Sequence, residues 1–142
     1  MKKLLVLFVC LFTFTAVSFA DNDRPISFNQ LPEKAKIFIR HHFQVSDVQK
    51  AFIDGDEYEV RLRGGVKIEF GKAGRWKEVE SKRKAIPNSI IPERILHKIR
   101  KEYGHQVRVV EISRDHDEIE VKLSNGQEIE FDRNHQKVDD DD

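Results

Sequence analysis

The 142-residue chain contains a single cysteine, Cys10. With no second thiol there is no internal disulfide, so stability must come from a packed core. The chain also lacks net charge. Its 25 Lys and Arg residues balance 25 Asp and Glu residues, and the signs are interleaved instead of gathered into a basic stripe. That argues against nucleic acid or an anionic membrane surface as the main partner. No Gly-x-Ser-x-Gly elbow is present, and no cysteine lies beyond position 10 to act as a nucleophile. Beyond the first twenty residues there is no long apolar run.

Those twenty residues read as a leader. Lys2 and Lys3 precede an apolar stretch over 4–19, small residues Ser18 and Ala20 frame a cleavage position, and Asp21 follows. The stretch falls short of the roughly 20 apolar residues that span a bilayer. Bulky Phe8 and Val9 before Cys10 do not suit lipidation. The expectation is a signal peptide over 1–20, a periplasmic or secreted product from Asp21, and no membrane insertion after cleavage.

What is present is said twice. EYEVRLRGGVKIEF at 57–70 and EIEVKLSNGQEIEF at 118–131 share eight of fourteen positions. In each, apolar residues alternate with charged ones at the period of a half-buried strand. Gly64-Gly65 and Asn125-Gly126 interrupt them as hairpin turns. Ahead of each lies another strand, expected over 48–53 and 107–112. Behind come a short strand over 76–79 and a weaker counterpart at Lys137-Val138. Each set is preceded by a helical face: Leu31, Ala35, Phe38, Ile39, His42, Phe43, and then Ile91, Ile95, Leu96, Ile99, Tyr103. Pro32-Glu33 and Pro92-Glu93 open these helices, and Gly104 suits a left-handed stop after the second. The spacing predicts an α+β fold: two α-β-β-β-β repeats, about 26–80 and 86–139, forming one curved antiparallel sheet of about eight strands with two helices on one face. The basic segment 81–88 reads as a linker inside one domain over 21–142, and Asp139 to Asp142 form an acidic tail.

Leu31-Pro32-Glu33, Ile91-Pro92-Glu93, the Glu-x-Glu-Val-x-Leu strands, the glycine hairpins and Gly74-Arg75-Trp76 together resemble the PepSY-like proteins. These are bacterial periplasmic proteins with a β-lactamase-inhibitor-protein-like fold. The resemblance implies two helix-plus-four-strand units, and most members have no established activity. The inhibitor carries a disulfide in each repeat and an inhibitory loop. This chain has neither, so inhibition of a β-lactamase is not carried over.

No residues assemble a catalytic or metal site. His41 and His42 are adjacent on a helix and point about 100° apart, so they cannot chelate as an i, i+4 pair would. His97, His105, His116 and His135 occur singly. Asp54-Gly55-Asp56-Glu57 and Asp115-His116-Asp117-Glu118 lack the spaced oxygens of a calcium loop and read as hairpin turns. No enzyme activity, cofactor or metal is expected. The pleat places Glu59, Arg61, Arg63, Lys67, Glu69, Glu120, Lys122, Glu128 and Glu130 opposite the helices, as a mixed-charge face explained by cross-strand pairing. Trp76, the single tryptophan, is either a packing residue or the apolar anchor of that face. The expected function is an exported, monomeric binding module for a protein or peptide of the cell envelope. The alternative is binding of a small ligand or cation in the sheet concavity.

Overall fold

The computed structural model describes residues 23–116 and 118–138. The leader, the Asp21 boundary, Asp117 and the acidic tail lie outside the described residues. The strands are β1 (Asp23–Ile26), β2 (Val48–Asp54), β3 (Glu57–Leu62), β4 (Val66–Phe70), β5 (Trp76–Ser81), β6 (Val109–Asp115), β7 (Glu118–Leu123) and β8 (Glu128–Phe131), and alternation of apolar and charged residues marks the hairpin strands β3, β4, β7 and β8. They pair antiparallel in sequence order as one open sheet of eight strands. Helices α1 (Glu33–His42) and α2 (Glu93–Tyr103) complete an α+β fold.

The hairpins pair in the expected register, with Val60 opposite Ile68 and Val121 opposite Ile129. These four residues join Leu62, Phe70, Val79, Ile112, Leu123 and Phe131 in one core with Ala35 and Ile39 of α1 and Ile95 and Ile99 of α2. A single core fed by both helices puts both on the same face of the sheet. Each fully buried Ile, Leu or Phe contributes about 1.5–3 kcal/mol, which offsets the missing disulfide.

A helix followed by antiparallel strands occurs twice, with four strands after α1 and three after α2. α1 and α2 begin sixty residues apart, and β2, β3 and their counterparts β6, β7 sixty-one apart. Even the irregularities recur, since β2 bulges between Val48 and Lys50, and β6 between Val109 and Glu111. Gly104 ends α2 with φ of 90° and ψ of 171°, a positive-φ extended conformation that only glycine adopts freely, instead of the left-handed helical stop expected.

Three further details differ from the sequence expectation. The sheet's first strand is β1, a four-residue edge strand containing Pro25 and pairing with β2; it is too short and irregular to show a period. The segment around Lys137 forms a single bridge to Phe131 and one backbone hydrogen bond, Val138 N–H to Glu130 O, 2.8 Å. And the 81–88 segment is tied in: Ile86 is buried, and its N–H donates to the Val109 carbonyl at 2.9 Å.

Candidate functional site

The face without helices carries two charged rows that cross the sheet. The first runs Phe52, Glu59, Glu69, Glu78, Ser113, Glu120, Glu130 from β2 to β8. The second runs Lys50, Arg61, Lys67, Glu80, Glu111, Lys122, Glu128 over the same strands. The sequence placed most of these residues on the open face, and the pleat does so. It did not give their neighbours. In the second row opposite charges face across strands, Lys67 with Glu80 and Lys122 with Glu111 and Glu128, but in the first Glu59 faces Glu69 and Glu69 faces Glu78. Like charges directly opposite one another destabilise a sheet. Arg63 lies just past the end of β3, 3.9 Å from Asp47.

Cations answer part of this acid, Arg61 and Lys67 on β3 and β4, and Lys122 on β7, which faces Glu111 and Glu128. Arg61 pairs with Glu59 at 2.6 Å, and Lys67 lies 3.7 Å from both Glu69 and Glu80. Burial works to lower the Lys67 ammonium pKa, but Glu69, Glu80, Glu78 and Glu59 outweigh it and hold it above its ordinary value. Toward the middle of the sheet the acids dominate. Glu78 is 2% exposed, and no donor among the described residues reaches either of its carboxyl oxygens. Burial, then contact with the Glu111 carboxyl, then the charge of Glu69 push it up to about 10. Two facing carboxyl groups without a donor between them satisfy each other only by sharing a proton. Burial together with Glu128, Glu130 and Glu111 raises Glu120 to about 7.

Glu78, Glu80, Glu111 and Ser113 were absent from the sequence-derived site. They come together because β5 and β6 are neighbours, a pairing between the two halves that local pattern does not reveal. The alternation of Glu78 and Glu80 around Val79 was the available signal.

Trp76 requires a correction: it does not share this face. Glu69 faces Glu78, yet Phe70 faces Trp76, so Lys77 is an extra residue and β5 bulges. The bulge reverses the side on which Trp76 lies. Its ring packs 6.0 Å from that of Phe38 on α1, with Phe70 at 5.7 Å from the same Phe38. The Arg114 guanidinium lies 4.1 Å from the indole centroid, and Arg114 Nε donates to the Trp76 carbonyl at 2.8 Å. Trp76 is a packing residue beneath α1.

Among the described residues no three His, Cys, Asp or Glu side chains converge as a metal site, and no helix is long and apolar enough to cross a membrane. Asp54 and Glu57 flank the β2–β3 turn, as expected of a hairpin.

A family described as "Putative beta-lactamase-inhibitor-like, PepSY-like" matches residues 56–137. A solved structure of a "putative calcium-regulated periplasmic protein" from Bacteroides thetaiotaomicron is 39% identical. The match covers 87% of this chain and 100% of that one, with a TM-score of 0.81. A "putative periplasmic protein" of the DUF2874 family from Bacteroides vulgatus is also 39% identical over 87% of this chain and 100% of its own, at TM-score 0.79. A third, from the same species and of unknown function, is 30% identical over 82% and 97%, at TM-score 0.76. Comparison with curated proteins gives no match.

Proposed function

We propose a function for this chain, which belongs to the PepSY-like family and is periplasmic or secreted: it is a non-enzymatic binding module that holds a protein or peptide against the open face of its sheet. The observation that carries this reading is the row of glutamates gathered around Glu78. A carboxyl group this buried and without a donor is unfavourable for the fold, and it stands in a row of glutamates that weakens the sheet further. Neither feature serves folding; Glu78 itself is buried, and the half-buried Glu80, Glu111 and Glu120 around it are what an approaching surface reaches. The partner surface is basic, because the acids at the sheet centre outnumber the cations beside them. Charges of this kind set on-rate and specificity.

The reading includes one domain over 21–142, its two halves being copies of one unit that share the core. Neither half of the sheet covers its own edge, which supports joint folding.

A second reading is favoured by the name of the Bacteroides thetaiotaomicron relative. Calcium near the central acids would neutralise Glu111 and Glu120, although the described side chains do not converge on one point. The test of the main reading is reversal of charge. Glu80→Lys with Glu120→Lys is expected to leave the melting temperature within a few degrees of wild type and to weaken capture of the envelope partner about tenfold or more. Unchanged capture by the folded variant would remove the open face from the function.

A further inference from the structure

A cavity of about 480 Å³ lies on the other side of the sheet, between the C-terminal half of α2, strand β8 and the turn that follows it. Its floor is apolar, formed by Ile99, Ile129 and Phe131, and its rim carries Lys98, Lys101 and Lys137. The sixty- and sixty-one-residue offsets give each lining position an equivalent in the first half of the chain. Ile99, Ile129 and Phe131 correspond to Ile39, Ile68 and Phe70, so the floor is kept. Lys98 corresponds to Phe38, and Lys137 to Trp76.

In the first half these two aromatic rings fill the space. Phe38 lies edge-on to Phe70 at 5.7 Å, 6.0 Å from Trp76 and 6.5 Å from Phe43. In the second half Tyr103 stands where Phe43 does, but flexible lysine stems replace the other two rings, and the slot stands open. Its volume falls within the range of small-molecule sites, roughly 300–1,000 Å³.

We propose that this cavity is a binding site for an aromatic carboxylate, its ring lying where the first half seats Trp76 and Phe38 and its acid group meeting the lysine rim. The ring is indicated by the template, since the same floor accepts an indole and a phenyl group in the first half. The acid is indicated by charge. Lys137 pairs with Glu102 at 3.0 Å, while the Lys98 ammonium donates to the His135 carbonyl at 2.8 Å instead of to an acid. Lys101 is exposed and adds a third positive charge. Among the described residues, three ammonium groups stand beside one carboxylate at this rim, the reverse of the acidic open face. The site is therefore independent of the partner surface proposed above.

The test uses 2-naphthoate and its neutral counterpart 2-naphthamide as probes, titrated into the full-length exported protein and followed by amide chemical shifts. Saturable shifts confined to α2, β8 and residues 132–137 are expected for naphthoate. The dissociation constant should fall at about 0.1–1 mM, the range for a fragment of this size. Naphthamide should bind about fivefold more weakly or worse. Lys98→Phe with Lys137→Trp refills the slot from the first-half template and should abolish the shifts while leaving the protein folded. If that variant misfolds, Lys101→Glu at the exposed rim should still weaken naphthoate at least threefold and leave naphthamide unchanged. Absence of saturable shifts in wild type, equal binding by the filled variant, or equal binding of the two probes would overturn the proposal.

Discussion

Glu78→Gln is expected to make the protein more stable near neutral pH and to flatten the dependence of its stability on pH. The Glu78 carboxyl is buried against Glu111 without a donor. Its folded-state value of about 10 lies above its ordinary 4.5. An acid whose pKa is raised by folding binds more protons folded than unfolded throughout that interval. Its contribution is therefore most favourable below pH 4.5 and is lost progressively as pH rises toward 10, by up to about 1.4 kcal/mol per pH unit. Glutamine removes the titration, and its amide N–H can donate to Glu111 in place of the shared proton. The gain at about pH 7.5 should be on the order of 1–3 kcal/mol, several degrees in melting temperature, and it should shrink to little near pH 5. Thermal melts of both proteins across this range decide the point. A variant less stable than wild type at pH 7.5, or one with the same pH slope, would show that Glu78 is not a strained carboxyl.

The largest loss is expected from Gly74→Ala. Gly74 has φ of +92°, and a Cβ there would lie 2.9 Å from Pro32 Cβ, 3.1 Å from Lys34 Cβ and 3.2 Å from the Ala35 nitrogen. The turn before β5 thus touches the first turn of α1, and only glycine permits the approach. The backbone conformation alone costs about 1–2 kcal/mol for a side chain. Displacing α1 from Phe70 and Trp76 brings the total to about 3 kcal/mol or more. Gly126→Ala is the control, because Gly126 has nearly the same φ, +93°, with nothing within 4 Å; it should lose only the conformational part. The shared core gives a second criterion. Gly74→Ala should lower one transition for the whole chain. Equal losses at the two glycines would remove the packing argument, and a shift in only part of the melt would divide the chain into two independent units.

The contrast between what was legible in the sequence and what was not follows from range. Hairpin strands such as Tyr58-Glu59-Val60 declare their buried face through a period of two, and the helices through Ala35, Ile39, Ile95 and Ile99. Those patterns are local, and the structure keeps them. The bulge at Lys77 is one residue of slip, invisible in composition, and it moves Trp76 from the expected open face to the core. The β1 strand, Asp-Arg-Pro-Ile, is too short to carry a period. Glu78 could be read as a charged strand residue, but its surroundings depend on β6, which brings Ser113 opposite it and Glu111 beside it across the junction between the halves. A site assembled by strand order is legible only once that order is known. Glu59, Glu69, Glu120 and Glu130 were found because each belongs to a hairpin whose pleat was already clear.

The claim at the centre of this account is that the open sheet face meets the partner, and site-specific photocrosslinking in the host envelope tests it most directly. A photoreactive phenylalanine analogue would replace Arg61 or Lys122, both exposed on the open face, and in separate proteins Arg94 or His97, both exposed on α2. The same partner should crosslink from positions 61 and 122 and not from positions 94 and 97. Adducts that form from the helix positions while the sheet positions stay silent would contradict the account.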